Sequence, residues 1–263
     1  MKIQPVLPYF YFSLILSILT LTFSSCEDDD SDPNHHSGPL SDIDGNVYTT
    51  VVIGDQLWMA ENLRTTRYKD GSDIDYYGTD TLMWQNNTTG AYAWQRNDEM
   101  FKDLYGGLYN WHAVNNSLGL CPEGWRVSTP DDWRILLRYL LDEHGISNDS
   151  SGDKRAGNVL KSCRQVDSPM GGDCDTSVHP RWNFHDTQYG TDDFGFAALP
   201  GGIRTASGVS RWIGLYGYWW MHDPINDTGF DAQYRYINFD QNRVYGHGKN
   251  NKNIGYSVRC VKN

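Results

Sequence analysis

An apolar run that ends at a cysteine sets the limits of the folded part of this chain. Residues 6–23 are almost all apolar, two serines follow, and Cys26 is succeeded at once by five carboxylates within residues 27–32. This order predicts a bacterial lipoprotein signal, in which residues 1–25 are a signal peptide and Cys26 is the lipidated first residue of the mature protein. The alternative is an uncleaved transmembrane helix, since about 20 apolar residues suffice to span a bilayer.

Lipidation at Cys26 also predicts a location. A diacylglycerol on the sulfur and an acyl chain on the amine supply the two lipid anchors that stable membrane attachment requires. The acidic residues after Cys26 resemble the signal that sends lipoproteins of Bacteroidetes to the outer face of the cell. We therefore expect a cell-surface lipoprotein of the outer membrane, with residues 26–40 as an acidic lipidated tether and linker and residues 41–263 as one folded domain.

Charge and composition limit the partners of the folded body. The net charge is −11, and it is about −7 once Lys2 and the five tether carboxylates are set aside. No basic patch stands out, so we expect no nucleic-acid partner. The chain has 10 Trp, 17 Tyr and 26 Gly, which lie in short segments between turn residues, as is typical of a strand-and-loop protein. Such rings either pack inside the fold or stack on sugars.

Four cysteines remain after Cys26, and an even number is typical of disulfides in an exported chain. Three pairings are possible. We favour Cys163 with Cys174, which closes a short Gly-rich loop, and Cys121 with Cys260, which joins the middle of the fold to its last strand. A metal or redox site is the alternative, but no Cys-x-x-Cys and no His at ligand spacing supports it.

Local patterns predict one hairpin and two helices. The β-branched residues of 47–53, a Gly-Asp turn and residues 56–59 predict a β-hairpin. Thr129 is a good N-cap, and apolar residues at helical spacing after it predict a helix that ends at Gly145. The inward residues of this helix are Trp133, Leu136, Leu137, Leu140 and Leu141. A second helix is expected over residues 154–162. Strands are expected at 195–199, 217–221, 234–239 and 256–261, and long ordered loops at 64–106.

The densest aromatic segment is a candidate binding surface. It contains Trp212, Tyr216, Tyr218, Trp219 and Trp220, with Arg204 and Arg211 nearby in sequence. Alternation along a strand predicts that Trp219 and Trp220 point to opposite sides, so that one lies in the core and the other is exposed. We expect a surface of exposed rings here to bind a glycan, a peptide or a protein.

A second group of residues is a candidate for catalysis or metal binding. Asp186, Asp192 and Asp193 lie close in sequence, with His185 beside them. Paired carboxylates are used for glycoside hydrolysis, and carboxylate oxygens bind calcium. Adjacent carboxylates before a Phe-Gly step also often cap a turn. We expect no cofactor, although the pattern of carboxylates leaves calcium binding open.

Six segments along the body resemble a single family. They are residues 44–65 (DGNVYTTVVIGDQLWMAENLRT), 106–114 (GGLYNWHAV), 121–133 (CPEGWRVSTPDDW), 194–204 (FGFAALPGGIR), 217–220 (GYWW) and 255–262 (GYSVRCVK). In this order they resemble the Fibrobacter succinogenes major paralogous domain, which occurs in secreted and lipid-anchored bacterial proteins. The resemblance covers nearly the whole body.

The same segments are distantly similar to the formylglycine-generating enzyme and sulfatase-modifying group, whose fold is C-type lectin-like. In that group an Arg-x-x-Thr-x-x-x-Trp segment opens a helix, as Arg126, Thr129 and Trp133 do here, and an Arg-Cys step lies in the last strand, like Arg259 and Cys260. The resemblance implies an α+β, C-type lectin-like fold, with small twisted antiparallel sheets, one or two helices and long ordered loops. A disulfide from Cys260 to the middle of the chain fits this fold.

The resemblance does not extend to the enzyme's chemistry. Formylglycine formation needs a reactive cysteine pair, whereas the four cysteines here are better explained as disulfides that leave no free thiol. We therefore expect a surface lipoprotein with a non-enzymatic, lectin-like binding domain. The alternatives are an enzyme, either a glycosidase that uses residues 186–193 or a degenerate oxidase, and a structural role in a surface layer or appendage.

Overall fold

The computed structural model of the chain describes residues 39–148, 155–163, 182–223, 229, 231–246 and 248–263. The strands are Leu40–Ser41 (β1), Val47–Tyr48 (β2), Thr50–Ile53 (β3), Gln56–Met59 (β4), Asp75–Tyr76 (β5), Ala91–Ala93 (β6), Leu108–Tyr109 (β7), Trp125–Val127 (β8), Ile203–Arg204 (β9), Ser210–Arg211 (β10), Tyr216–Trp220 (β11), Asp231–Asn238 (β12), Lys249–Asn251 (β13) and Cys260–Lys262 (β14). The α-helices are Thr81–Asn86 (α1), Lys102–Tyr105 (α2), Trp111–Val114 (α3), Pro130–His144 (α4) and Ala156–Leu160 (α5), and two 3₁₀ turns are Gln95–Asn97 and Glu99–Phe101. The fold is therefore of the predicted α+β class.

Most strands pair antiparallel in small sheets. The largest sheet has four strands in the order β3-β4-β14-β8, and a second has three in the order β11-β12-β13. The sheet β5-β6-β7 contains a parallel pair, β5 with β6, and β1-β2 and β9-β10 are two-stranded. Because β14 lies between β4 and β8, segments far apart in sequence form the middle of the largest sheet.

The predicted hairpin is confirmed at its turn and shortened at its start. β3 and β4 pair antiparallel across a two-residue turn. This turn needs Gly54, because its φ is +61° and a Cβ there would lie 2.9 Å from the Tyr139 ring on α4. The strand predicted over 47–53 is interrupted at Thr49, whose N–H donates to Glu61 Oε1 at 2.8 Å. The residues before Thr49 form β2 and pair with β1 instead.

The predicted long helix is α4, and both of its ends are capped as expected. The Thr129 hydroxyl accepts from the N–H of Asp132, and the Asp132 carboxylate accepts from the N–H of Thr129, which together form a capping box. At the other end, Gly145 takes the left-handed conformation with φ 63°. These local signals fix the helix boundaries.

The apolar stripe of α4 is narrower than the sequence predicts. Trp133, Leu136 and Leu140 are buried, and each contributes about 1.5–3 kcal/mol by leaving water. Leu137 is partly buried, whereas Leu141 is 50% exposed, so its predicted inward position is wrong. The side of the helix that carries Trp133, Leu136 and Leu140 faces the core, so Leu141 lies at the edge of the contact between helix and core.

Strand β11 lies between two groups of buried side chains. Trp219 packs against Trp133 of α4, with ring centroids 5.8 Å apart, and Trp220 packs against Trp111 at 5.5 Å. Both Trp219 and Trp220 have 0% of their surface exposed. The prediction that one of them is exposed is wrong, because both sides of β11 face a core.

A disulfide joins Cys121 to Cys260, across 139 residues of sequence, and confirms the second of the two predicted pairings. It ties β14 to the segment before β8, and closing a loop of this length stabilises by nearly 5 kcal/mol in the chain-entropy model. Cys163 is half-buried and forms no disulfide with a described cysteine. Its predicted partner Cys174 lies outside the described residues, so that pairing stays a prediction.

Other predicted elements are confirmed in part. Helix α5 falls within the predicted 154–162. The strand predicted at 195–199 is absent from this described segment, because Ala197 has a φ of 48° and its N–H donates to the Asp192 carboxylate at 2.7 Å. The stretch 64–106, expected to be loops, contains α1, α2, β5 and β6. Of the remaining predicted strands, 217–221 corresponds to β11 and 234–239 to the later part of β12, whereas only the last two residues of 256–261 lie in β14.

The structure describes the folded body and not the predicted anchor. Gly38–Asn263 form one compact unit. Among the described residues, no helix has the length and apolar character needed to cross a membrane. The signal peptide, the lipidation site Cys26 and most of the tether lie outside the described residues and stay predictions.

Candidate binding surface

Five aromatic side chains form a continuous line across β11 and β12. Each ring contacts the next, with centroid separations of 5.4, 5.5, 5.3 and 5.0 Å along the line. In order, the rings are Trp212, Tyr216, Tyr218, Tyr236 and Tyr245, and we call this set the aromatic row. Trp212 is exposed, Tyr216, Tyr236 and Tyr245 are half-buried, and Tyr218 is buried.

Strand pairing explains why these rings meet. Tyr216 and Tyr218 are two positions apart in β11 and therefore share a side of the strand. The antiparallel register places Tyr218 opposite Tyr236 of β12. Tyr245 is brought to Tyr236 by an isolated antiparallel bridge, with backbone hydrogen bonds of 2.9 and 2.8 Å between the two residues.

Trp212 is held at the open end of the row by a strained turn. Its φ is 63°, which a residue other than glycine rarely adopts, at a cost of order 1–3 kcal/mol. Its carbonyl accepts from the N–H groups of Leu215 and Tyr216, at 3.0 and 3.1 Å, and these bonds fix the turn. Trp212 is 45% exposed and is the most exposed ring of the row. Strained residues of this kind cluster at functional sites.

The row rests on a buried aromatic layer. Tyr218 stacks on Tyr256 with the ring planes only 8° apart and the centroids separated by 4.9 Å. Tyr256 in turn contacts Trp220 at 4.4 Å, and its hydroxyl accepts from Asn250 Nδ2 at 2.8 Å. Because this layer is buried and hydrogen-bonded, the rings above it are fixed before any ligand binds.

Four tyrosine hydroxyls on this side of the sheet are left for solvent. No described residue forms a hydrogen bond with the hydroxyls of Tyr216, Tyr218, Tyr234 and Tyr236. None of these hydroxyls is a buried unpaired atom, so each is open to solvent. Burial raises the pKa of Tyr218, Tyr234 and Tyr236 above the usual value for tyrosine, with neighbouring tyrosines adding to the effect at Tyr218 and Tyr236. The hydroxyls of Tyr218, Tyr234 and Tyr236 therefore stay protonated at neutral pH and can both donate and accept.

A cleft of 420 Å³ continues the row beyond Tyr236. Its described lining consists of Asn148, Tyr234, Arg235, Tyr236, Arg243, Val244, Tyr245, Gly246 and Gly248. Two members of the aromatic row, Tyr236 and Tyr245, thus belong to both the row and the cleft. The volume falls in the range of small-molecule sites, roughly 300–1,000 Å³.

The structure brings together four of the seven residues predicted for the binding surface. Trp212, Tyr216 and Tyr218 lie in the row, and Arg211 is exposed beside Trp212 on β10. The sequence missed Tyr234, Tyr236 and Tyr245 as members of the same surface. The alternation in 234–239 was the available signal for the first two, whereas the bridge that places Tyr245 is not visible in the sequence.

The other three predicted binding residues are structural. Arg204 is buried; its guanidinium lies 4.5 Å from the Trp84 ring centroid and donates to the carbonyl of Gly78 at 2.8 Å and to the Asn97 side chain. Trp219 Nε1 donates to Asn62 Oδ1 and Trp220 Nε1 to the carbonyl of Tyr109, both at 2.8 Å. These side chains have no exposed surface for a ligand, so their predicted binding role is wrong.

The acidic candidates do not form a recognisable site. Asp192 has a φ of 49° and its carboxylate accepts from the N–H of Ala197, so it caps a turn. Asp186 lies beside its neighbour His185, with Oδ1 3.4 Å from Nδ1. Within the described ranges, no three His, Cys, Asp or Glu side chains lie close enough to hold a metal ion. Calcium binding through Asp186, Asp192 or Asp193 stays an untested expectation.

Fold and surface together define a class of protein, namely a disulfide-bonded α+β domain with an ordered line of tyrosine rings on one side. The family model of the Fibrobacter succinogenes major domain matches residues 51–262, and the chain belongs to this family. No curated protein and no solved structure matches the chain. The similarity to the formylglycine-generating enzyme group therefore stays a prediction.

Proposed function

We propose that this protein is a non-enzymatic, lipid-anchored binding protein whose aromatic row binds a glycan. The observation that carries the proposal is a fixed line of rings in which the hydroxyls of Tyr216, Tyr218 and Tyr236 are open to solvent and Trp212 is exposed at one end. Sugars have apolar C–H faces and many hydroxyls, so they need a surface that offers both apolar area and hydrogen-bonding groups.

The rigidity of the row supports binding over catalysis. Tyrosine and tryptophan supply large contact areas with only two side-chain torsions each, so little conformational entropy is lost on binding. The underlying layer of Tyr256 and Trp220 already holds the rings in place. A pre-ordered surface of this kind lowers the entropic cost of association.

The lipoprotein and lectin-like parts of the proposal rest on the sequence and on the fold class. The apolar run before Cys26 and the acidic residues after it support lipid attachment at the outer membrane and exposure at the cell surface. Small antiparallel sheets, one long helix and the Cys121–Cys260 disulfide are compatible with a C-type lectin-like fold. A lectin-like domain on a lipid tether would face ligands outside the cell.

The test is a glycan array probed with the full-length lipoprotein in detergent. Trp212→Ala removes the exposed ring, and the double variant Tyr216→Phe, Tyr236→Phe removes two hydroxyls while keeping both rings. We expect each variant to lose at least tenfold in retention, because ring contact and hydrogen bonds are removed separately. The melting temperature should change little, since none of the three substituted side chains is fully buried.

The matched controls lie on α4, on the other side of β11. Leu141→Ala removes exposed apolar surface, and Tyr139→Phe removes a tyrosine hydroxyl, both away from the row. These controls should bind like the parent protein. Retention that is the same in row variants and controls would refute the proposed surface, and cleavage of a retained glycan would refute a non-enzymatic role.

A further inference from the structure

The cleft at the end of the aromatic row carries two arginines and, among its described lining residues, no carboxylate. This is unusual in a chain with a net charge of −11. Elsewhere in the described body, the guanidinium groups of Arg64, Arg67 and Arg126 each have a nitrogen no more than 3.4 Å from an Asp or Glu oxygen. The two cleft arginines therefore differ from these arginines in forming no ion pair with a described residue.

Arg235 is the more buried of the two arginines. Its Nη1 donates to the carbonyl of Gly246 at 2.9 Å, while Nε is buried without a hydrogen-bond partner. Burial lowers the pKa of Arg235. A buried donor without an acceptor is costly and calls for an explanation in a native fold. The enclosed Nε is out of reach of an anion in the cleft, which would instead accept from Nη2, a donor with no partner among the described residues.

Glycine at position 246 makes this arrangement possible. A Cβ there would lie 2.4 Å from Arg235 Cδ and 2.9 Å from Arg235 Nη1. Gly248 is equally constrained, because a Cβ would lie 2.5 Å from the Tyr234 hydroxyl. Glycine at positions 246 and 248 thus leaves room for the arginine and the tyrosine, which both line the cleft.

Arg243 is held in place but keeps two donor groups unused. Its Nε donates to the carbonyl of Asn148 at 2.7 Å, and its guanidinium lies 5.5 Å from the Tyr245 ring centroid. Asn148 is fixed in turn by two hydrogen bonds of 2.8 Å with the backbone of Val244. The two terminal nitrogens of Arg243 have no partner among the described residues. A planar fork of this kind matches a carboxylate in bidentate geometry.

The adjoining cleft does not supply the missing anion. Arg235 also borders a second cleft, where Asp131 and Arg134 of α4 are found. Asp131 already pairs with Arg134, with Oδ1 3.1 Å from Nε. The acid on that side is therefore engaged by its own helix.

We propose that the cleft binds the carboxylate of an acidic sugar, and that neighbouring sugar units of the same glycan lie on the aromatic row. This inference rests on the proposed function and specifies its ligand class. Tyr236 and Tyr245 belong to both surfaces, so one chain of sugars can contact the rings and the arginines together. Uronic-acid glycans have this combination of pyranose rings and carboxylates.

The test compares oligogalacturonate with its methyl ester, which has the same length and sugar rings but no charge. Binding to the full-length lipoprotein in detergent is measured by titration calorimetry at fixed ionic strength, since charge interactions weaken with salt. We expect the acid to bind at least tenfold more tightly than the ester. Arg243→Gln and Arg235→Gln should each remove most of this preference, because each deletes donors to the carboxylate.

Arg138→Gln is the matched control, since it removes one exposed arginine from α4 and leaves the cleft intact. It should keep the preference for the acid. Arg243→Lys keeps the charge but loses the bidentate fork, so it should restore only part of the preference. The comparison of acid with ester in the parent protein needs no variant and stays valid if an arginine variant fails to fold.

The outcomes separate this inference from the function on which it rests. Equal binding of acid and ester, or a preference that survives both glutamine substitutions, would overturn the acidic-sugar site while leaving the aromatic row intact. Binding to sulfated but not to carboxylated glycans would also overturn it. Failure to bind any glycan would remove the proposed function and this inference together.

Discussion

Asp132→Ala removes the carboxylate on which the start of α4 depends. Asp132 accepts hydrogen bonds from the N–H and hydroxyl of Thr129, at 2.7 and 2.8 Å, and from two nitrogens of Arg126. Losing an N-cap interaction costs about 1 kcal/mol. Losing hydrogen bonds to a charged group costs about 1.5–3 kcal/mol. We therefore expect the free energy of unfolding to fall by about 3 kcal/mol.

Asp131→Ala is the control, because it deletes the same charge from the same helical turn. Asp131 is exposed and pairs with Arg134 at 3.1 Å, an exposed pair that contributes about 0.2–1 kcal/mol. Urea unfolding, followed by tryptophan fluorescence with the disulfide intact, gives both values. If the two variants agree within about 0.5 kcal/mol, the capping box does not hold the helix start and the reasoning fails.

The contribution of Asp132 should also depend on pH. Burial acts to raise the pKa of Asp132, but hydrogen bonds from Arg126 and Thr129 outweigh it and bring the pKa below the usual value of 3.8. A lowered folded-state pKa means that the stabilisation is complete above the unfolded-state value and is lost as pH falls through the folded-state value. The difference in unfolding free energy between the parent and Asp132→Asn should therefore be constant from pH 5 to 7 and shrink below about pH 4. A difference that grows on acidification would contradict the assigned partners.

Two further predictions concern buried side chains. Lys161 is buried, and its ammonium donates to three main-chain carbonyls at 2.6–3.2 Å. Lys161→Met should therefore lower the free energy of unfolding by about 3 kcal/mol or more, measured by urea unfolding at pH 6. A loss below about 1 kcal/mol would contradict these hydrogen bonds. Trp220→Ala should cost about 3–5 kcal/mol by leaving a cavity, whereas the exposed Trp212→Ala should cost less than about 1 kcal/mol. Equal losses in thermal unfolding would mean that Trp212 is a packing residue and not a binding one.

The parts of the fold that the sequence predicts are those encoded by neighbouring residues. The α4 helix is an example, because its N-cap Thr129 and its stop at Gly145 act within one turn of each end. The β3–β4 turn at Gly54 is another. Leu141 shows the limit of this reasoning, since helical spacing alone does not fix which way the helix faces.

The candidate site was predicted less completely because it depends on contacts between distant segments. Trp219 and Trp220 are both buried because α4 and the Trp111 region cover opposite sides of β11, and strand alternation carries no information about a second core. Tyr245 joins the row through a bridge to Tyr236 that only the folded chain forms. Arg204 had a suitable charge, but its pocket beside Trp84 is formed by residues more than 100 positions away.

The position of β14 in the largest sheet has a consequence for how the chain is made. Residues 260–262 are synthesised after β4 and β8, yet they separate these two strands in the sheet, so both strands keep an open edge until synthesis reaches β14. Open edges invite pairing with other polypeptides. A chain truncated before Cys260 would therefore keep two open strand edges and an unpaired Cys121. This combination favours aggregation over a shortened native domain.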